Sequence, residues 1–202
     1  MSITFYTNPK SRGRIVRWML EELGEPYETV ILEFGSTMKS PQYLAINPMG
    51  KVPAIKHDDV IVTEAAAICA YLADSFPSSN LAPPASERRR GAYYRWMFFA
   101  AGPVEAAVTN KSLGFVSDKK GMLGYGSYED TLLALEQHVK SNTYICGDQF
   151  TAADVYVGSQ IGWGLMFGTI DKRLAFSDYV ARLRSRPAAV RAAELDDVAA
   201  IH

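Results

Sequence analysis

The chain has 202 residues, of which 48% are hydrophobic, so it is long enough to bury a core as one large domain or two small ones. Its 21 Lys and Arg residues balance 22 Asp and Glu residues, which excludes a nucleic-acid binder that depends on a basic excess. The chain has two cysteines, no apolar run of the roughly 18 residues that span a membrane, and no signal-peptide pattern. We therefore expect a soluble cytoplasmic protein without a membrane partner.

The N-terminal part alternates between strand-like and helix-like patterns. A short strand around Ile3 and Phe5 ends at the turn formers Asn8 and Pro9, and a helix follows that Gly24 terminates. Residues 27–32 form a second strand, and a short apolar turn covers 43–46. Residues 52–56 and 60–62 then form a hairpin, after which Thr63 is the predicted N-cap of a helix. The predicted order is β-α-β-α-β-β-α.

The remainder of the chain is predicted to be helical. Pro77-Ser78-Ser79-Asn80 and Pro83-Pro84 have the composition of a linker, so we divide the chain into a domain of residues 1–77, a linker of 78–86 and an all-α domain of 87–202. Gly102-Pro103 should kink a long helix that starts near Arg88. Thr151 and Asp154 are spaced as a capping box that starts a core helix.

The segment GKVPAI, residues 50–55, places a proline next to an apolar strand, although proline cannot donate to a sheet ladder. If the Val52–Pro53 bond is cis, the N–H and C=O of Val52 are free to pair with an extended peptide ligand. Glu64 and Ala65 lie where the following helix begins, and its N-terminus attracts a carboxylate while Glu64 attracts an ammonium group. The γ-glutamyl end of glutathione carries both groups.

Three segments resemble the cytosolic glutathione transferases: NPMGKVPAI at residues 47–55, TEAAAICAYLAD at 63–74 and ICGDQFTAADV at 145–155. A fourth, RWMFFAAGPVEAA at residues 95–107, resembles in particular the first long helix of bacterial members. The resemblance spans nearly the entire chain. It implies a thioredoxin-like first domain that binds glutathione, an all-α second domain that forms the pocket for the second substrate, and a homodimer. Glutathione is then a cosubstrate, and no prosthetic group or metal is implied.

The resemblance also implies roles for individual residues. Val52 pairs its main chain with the cysteinyl unit, and Pro53 is the cis residue. Glu64 and the N–H of Ala65 hold the γ-glutamyl group, and Lys51 or Lys39 neutralises the glycine carboxylate. The family more often has Ser or Thr at position 65, so we expect Ala65 to weaken binding without abolishing it.

Several residues between the first strand and the first helix are candidates to activate the thiol. Ser11 is the first choice, because it follows Tyr6 by five residues, where beta-class relatives have a cysteine and theta-like members a serine. Capping of the helix is an alternative role for Ser11, and one hydroxyl can serve both. Tyr6 is the second choice, and Asn8 and Arg12 are further donors.

These residues predict conjugation of glutathione to small apolar electrophiles. Absence of a cysteine at position 11 disfavours mixed-disulfide chemistry. A peroxidase, dehalogenase or isomerase on the same scaffold, or a non-catalytic binding module, is an alternative. Cys69 and Cys146 are expected to be buried and inert. Aromatic and apolar side chains of the second domain could line either a substrate pocket or a core; they are Tyr93, Tyr94, Trp96, Phe98, Phe99, Trp163, Met166 and Phe167.

Overall fold

A computed structural model describes residues 2–201. Its sheet has four strands in the order β2-β1-β3-β4, with β1 parallel to β2 and the other pairs antiparallel. The strands are β1 Ile3–Thr7, β2 Glu28–Ile31, β3 Ala54–His57 and β4 Val60–Thr63. Helices α1 Gly13–Leu23, α2 Pro41–Leu44 and α3 Ala65–Ser75 complete the predicted order. The predicted thioredoxin-like arrangement is confirmed.

The two faces of the sheet are covered by different helices. Helices α1 and α3 pack on each other, and the core side chains of their part of the fold, fully buried, are Phe5, Ile15, Met19, Ile55, Ile68 and Leu72. Neighbouring residues of a strand point to opposite faces, so Tyr6 lies on the other side from Phe5. There it packs against a second cluster that includes Leu32 and Tyr43.

The register of the sheet brings three connecting segments to one edge. Ala54, the first residue of β3, pairs with Tyr6 near the end of β1 and with Thr63 at the end of β4. The loop after β1, the segment before β3 and the start of α3 therefore emerge next to one another. These segments carry the residues that the sequence singles out for ligand binding.

Two local predictions need correction around this edge. Val52 and Pro53 precede β3 and are not part of it, because proline cannot donate to the ladder. Thr63 is not the N-cap of α3, because it is the last residue of β4 and pairs with Ala54; Glu64 occupies the cap position. In contrast, α1 ends at Gly24 in a left-handed conformation with φ of 76°, as predicted.

The second half of the chain is helical. Its helices are α4 Arg89–Phe99, α5 Glu105–Ser112, α6 Tyr128–Ser141, α7 Ala152–Phe167, α8 Leu174–Arg184 and α9 Pro187–Ala199. A π-helical segment, Ala100–Val104, connects α4 to α5 and contains Pro103. Because proline lacks the N–H of a regular helix, the interruption falls where Gly102-Pro103 predicts a kink.

The predicted capping box at the start of α7 is confirmed. The Asp154 carboxylate accepts the N–H of Thr151 at 2.9 Å, the N–H of Ile145 at 2.7 Å and the hydroxyl of Tyr179 at 2.8 Å. Asp154 is fully buried. The helix start is therefore joined to the preceding loop and to α8 through one carboxylate.

The chain divides into two compact units, one from Asn80 to Ser185 and the other made of the residues up to Ser79 together with those from Arg186 onward. The sequence places α9 with the second domain, whereas the structure groups it with the first unit, where it packs on α1. The division into domains at residues 78–86 stays a prediction. Within residues 2–201, no helix is long and apolar enough to cross a membrane.

Candidate functional site

Val52 offers its main chain at the sheet edge defined above. The Val52–Pro53 peptide bond is cis. Within the described part of the chain, neither the N–H nor the C=O of Val52 has a hydrogen-bond partner. Val52 is half-buried and Pro53 is buried. An extended ligand could therefore pair with Val52 as an added strand does.

The segment before Val52 is held by two side chains whose roles the sequence does not reveal. The Lys51 carbonyl accepts the Tyr43 hydroxyl at 2.6 Å and the Asn47 amide at 2.8 Å. Burial raises the pKa of Tyr43 to about 12, so the hydroxyl keeps its proton and stays a donor. Asn47 also receives the N–H of Met49 at 3.1 Å. With its preceding carbonyl fixed, Val52 is held in place before a ligand arrives.

The start of α3 combines unusual backbone geometry with uncapped N–H groups. Glu64 has a φ of 67° and a ψ of 116°, and no side chain caps the helix. A non-glycine residue in this region costs about 1–3 kcal/mol, so surrounding structure must impose it. The first turn contains no acidic residue. The N–H groups there carry partial positive charge and are suited to bind an anion, while the exposed Glu64 carboxylate is suited to bind a cation.

Ser11 takes part in the turn that leads into α1. Its hydroxyl donates to the Asn8 carbonyl at 2.7 Å and accepts the N–H of Gly13 at 2.9 Å. The side chain is half-buried. The hydroxyl therefore accepts an N–H at the start of α1, as a capping role requires. To donate to a thiolate, the hydroxyl must turn away from the Asn8 carbonyl.

Asn8 uses its amide within the protein. The amide nitrogen donates to the Leu32 carbonyl at 2.8 Å, and the amide oxygen accepts the N–H of Lys10 at 2.9 Å. Asn8 is only 4% exposed. It anchors the loop after β1 to the residue that follows β2, and donation to a ligand would break that anchor.

Tyr6 lies on the face of the sheet that carries α2. Its ring is 5.7 Å from that of Tyr43 between centroids, at an angle of 45°. Tyr6 and Val52 pack against the same apolar cluster. Tyr6 is half-buried, and its part in activating a thiol stays a prediction.

Lys39 is held beside the same segment. Its ammonium group donates to the Met49 carbonyl at 2.8 Å. Gly50 has a φ of 58°, and a side chain there would come within 2.6 Å of the Met38 carbonyl. Glycine is therefore required at position 50 for both reasons. Lys51 is exposed, so two ammonium groups belong to the stretch around Val52.

The remaining candidates divide between core and surface. Cys69 is buried, as predicted, whereas Cys146 is only half-buried. Burial raises the pKa of the Cys69 thiol well above its usual range and that of Cys146 to about 11, so both thiols are protonated near neutral pH. Tyr93 and Trp96 are core residues of the helical unit. Of the candidates that the sequence suggests there, Tyr94, Phe98, Met166 and Phe167 are exposed. Among residues 2–201, no three His, Cys, Asp or Glu side chains are grouped as metal ligands.

Comparison with known proteins gives a consistent result. Residues 12–75 match the family described as glutathione S-transferase, N-terminal domain. Glutathione S-transferase GST-4.5 of Xanthomonas campestris pv. campestris is 28% identical over 165 residues, which cover 78% of this chain and 80% of that protein. The structure of a sphingomonad glutathione S-transferase complexed with glutathione superposes with a TM-score of 0.79 at 27% identity, over 96% of this chain and 99% of that one.

The thioredoxin-like domain, the helical second half and these similarities define a glutathione transferase fold. The chain is similar in sequence and in fold to cytosolic glutathione transferases, including bacterial ones. A different kind of relative also matches. Elongation factor 1-gamma 3 of Oryza sativa subsp. japonica is 30% identical over 139 residues, which cover 66% of this chain but 33% of that protein.

Proposed function

We propose that the protein binds glutathione at the sheet edge formed by Val52, Glu64 and Ala65 and transfers its thiolate to small apolar electrophiles. The observation that carries the proposal is the open main chain of Val52 beside the uncapped N-terminus of α3. One ligand that offers a peptide group and a nearby α-carboxylate satisfies both at once.

The groups of glutathione match this edge. The cysteinyl unit would pair with the N–H and C=O of Val52, the γ-glutamyl carboxylate would take the N–H of Ala65, and its ammonium group would face Glu64. Lys39 or Lys51 would neutralise the glycine carboxylate. The glutathione bound in the sphingomonad structure supports this ligand for a related chain.

Ser11 is the proposed catalytic residue. A free thiol has a pKa of about 8.5, and lowering it by about two units requires roughly 2.7 kcal/mol of preferential stabilisation of the thiolate. A charge-assisted hydrogen bond from Ser11 can supply much of this. When the hydroxyl turns to the sulfur, the Asn8 carbonyl keeps the Ser11 N–H at 3.1 Å. The thiol proton leaves to solvent, and the thiolate forms a bond to the electrophilic carbon as the leaving group departs.

The family resemblance implies that the helical unit supplies the pocket for the electrophile, and large apolar side chains exposed on that unit include Phe98, Met166 and Phe167. They favour an apolar cosubstrate over a charged one. Tyr6 remains a second candidate for the thiol. A glutathione peroxidase, dehalogenase or isomerase would use the same binding site and differ only in the second substrate. We further propose a cytoplasmic homodimer, as the family resemblance implies.

A non-catalytic binding module is the second candidate function. The observation that favours it is the Ser11 hydroxyl, whose hydrogen bond to Asn8 already occupies the donor that catalysis requires. The similarity to elongation factor 1-gamma 3, which is not named as a transferase, is consistent with this candidate. A protein of this kind would have the glutathione transferase fold but would not transfer a thiolate.

Calorimetry with glutathione tests the binding site. Glu64→Gln should weaken binding by about tenfold, because it removes the partner of the ammonium group. Lys56→Gln is the matched control, because Lys56 is exposed in β3 and has no proposed role. Absence of heat with wild-type protein, or equal affinities for both variants, would contradict the proposed site. Binding without turnover of any electrophile would favour the second candidate.

A further inference from the structure

Helices α1 and α9 are joined by ion pairs whose sign reverses along the interface. The first half of α1 is basic and meets acidic residues of α9, whereas its last turn is acidic and meets basic ones. The pairs are Arg14–Asp197 at 2.6 Å, Arg17–Asp196 at 3.1 Å, Glu21–Arg191 at 2.6 Å and Glu22–Arg186 at 2.6 Å. A parallel arrangement would bring like charges together, so this pattern favours the antiparallel alignment of α1 with α9 and with Arg186, the residue before it.

One of these residues also contacts the loop that carries Ser11. The Arg14 guanidinium donates through Nε to the Pro9 carbonyl at 2.6 Å and through Nη2 to the Asp197 carboxylate at 2.6 Å. The Arg14 N–H donates to the Ser11 carbonyl at 3.3 Å. Arg14 is thus bonded to the loop by its main chain and by its side chain, and to the C-terminal helix by the same guanidinium.

This contact complements the anchor at the start of the loop. The Asn8 side chain donates to the Leu32 carbonyl and so anchors the first residue of the loop. The Arg14 side chain donates to the carbonyl of Pro9, the second residue of the loop. Ser11 follows within the same turn, where its N–H and its hydroxyl both donate to the Asn8 carbonyl. The place of the Ser11 hydroxyl therefore depends on both anchors.

We propose that Arg14 is a positioning residue for Ser11, with its guanidinium oriented by Asp197 of the C-terminal helix. The inference rests on the proposed function, because it assigns Arg14 to the step in which Ser11 stabilises a thiolate. Arg14 acts through the Pro9 carbonyl and touches no reacting atom. The last helix then contributes to the reaction although it lies at the far end of the chain.

The chemistry of arginine suits this role. Its planar guanidinium donates in several fixed directions, so one group can bind a carbonyl and a carboxylate together, whereas a lysine ammonium is a single point charge on a flexible stem. The side chains of Arg14 and Asp197 are 31% and 67% exposed. An ion pair so accessible to water stabilises the fold little. Its effect on the position of the Ser11 loop can therefore be measured without a large change in stability.

The test compares Arg14→Lys and Asp197→Asn with Arg191→Gln. Arg191→Gln breaks another accessible ion pair of the same two helices, in which Arg191 is 69% exposed, but it leaves the loop alone. For each variant, the pKa of the bound glutathione thiol is measured by thiolate absorbance, together with kcat, KM and Tm. We expect the Arg14 and Asp197 variants to raise the thiol pKa and to lower kcat about tenfold with little change in KM. Arg191→Gln should leave the thiol pKa, kcat and KM unchanged and should alter Tm only slightly.

Amide hydrogen exchange on the unliganded protein gives a second readout. Arg14→Lys should accelerate exchange at Ser11 and Gly13, and Arg191→Gln should not. Unchanged exchange together with unchanged kcat in Arg14→Lys would overturn the inference and leave the proposed function intact, provided that wild-type protein lowers the thiol pKa. A wild-type protein that binds no glutathione would overturn both.

Discussion

The Ser11 hydroxyl donates to the Asn8 carbonyl at 2.7 Å and at the same time accepts the N–H of Gly13 at 2.9 Å. A thiolate at this position would compete with a backbone carbonyl for one proton. The thiolate is the stronger acceptor because it is charged. Ser11 can therefore hold the turn in the free protein and donate to sulfur in the complex.

Replacement of Ser11 by alanine should lower the free energy of unfolding by about 1 kcal/mol, because the Gly13 N–H loses its acceptor. Urea denaturation measures the change. Ser112→Ala is the control: the Ser112 hydroxyl donates to the Thr109 carbonyl at 2.8 Å and is exposed. Its loss should be smaller. Equal losses in the two variants would argue against a capping role for Ser11.

Glu64→Gly should change stability and affinity in opposite directions. Glycine lacks the Cβ atom that makes a φ of 67° costly, so the variant should be more stable by up to about 1 kcal/mol. Glutathione affinity should fall because the carboxylate is lost. Glu64→Gln retains the strained backbone and should lose affinity without gaining stability. A Glu64→Gly protein that binds glutathione as tightly as wild type would show that Glu64 has no part in recognition.

Gly13→Ala should destabilise the protein by about 1–3 kcal/mol. The added methyl group would overlap Oγ1 of Thr7, which is fully buried. Thr7→Ala in the same chain removes the clashing atom and should recover most of the loss. Thr7→Val keeps an atom in that place and should recover none. Thermal unfolding of Gly13→Ala and of the two double variants measures the coupling between positions 7 and 13. Equal Tm values for the two double variants would contradict this packing.

Local signals in the sequence predict much of this fold. Gly24 ends α1, and Thr151 with Asp154 starts α7, because each depends on the chemistry of a few neighbouring residues. The cap of α3 is different. The conformation of Glu64 is imposed by its surroundings and not by its own preference, so the sequence favoured Thr63.

Specific side-chain contacts explain most of what the sequence did not reveal about the site. Tyr43 and Asn47 hold the Lys51 carbonyl, but each reads in sequence as an ordinary residue of a turn. Asp197 looks like a solvated helix residue, yet it binds Arg14. Pairing of this kind depends on tertiary structure, which no periodicity encodes.

Asp154 should make stability depend on pH. Burial raises its pKa to about 6, although hydrogen bonds from Ile145, Tyr179 and Thr151 oppose the shift. The pKa of Asp154 in the unfolded protein is about 3.9. Between about pH 4 and pH 6, the folded protein therefore holds a proton on Asp154 that the unfolded protein releases. This stabilising contribution is complete below about pH 4 and is lost as the pH rises through about 6.

Denaturation of wild type and Asp154→Asn at several pH values tests this dependence. Other titrating groups are shared, so they cancel in the difference between the two proteins. The stability advantage of wild type should shrink by about 2 kcal/mol from pH 4 to pH 7. A difference that does not change with pH would show that the pKa of Asp154 is not raised in the folded protein.

The most direct test of the account is the thiolate absorbance of bound glutathione, titrated against pH in wild type, Ser11→Ala and Tyr6→Phe. With wild-type protein, the thiol pKa should lie about two units below its free value of about 8.5. Ser11→Ala should return it most of the way, and Tyr6→Phe should leave it near the wild-type value. A thiol pKa that is the same in Ser11→Ala as in wild type would contradict the assignment of Ser11 as the residue that activates glutathione.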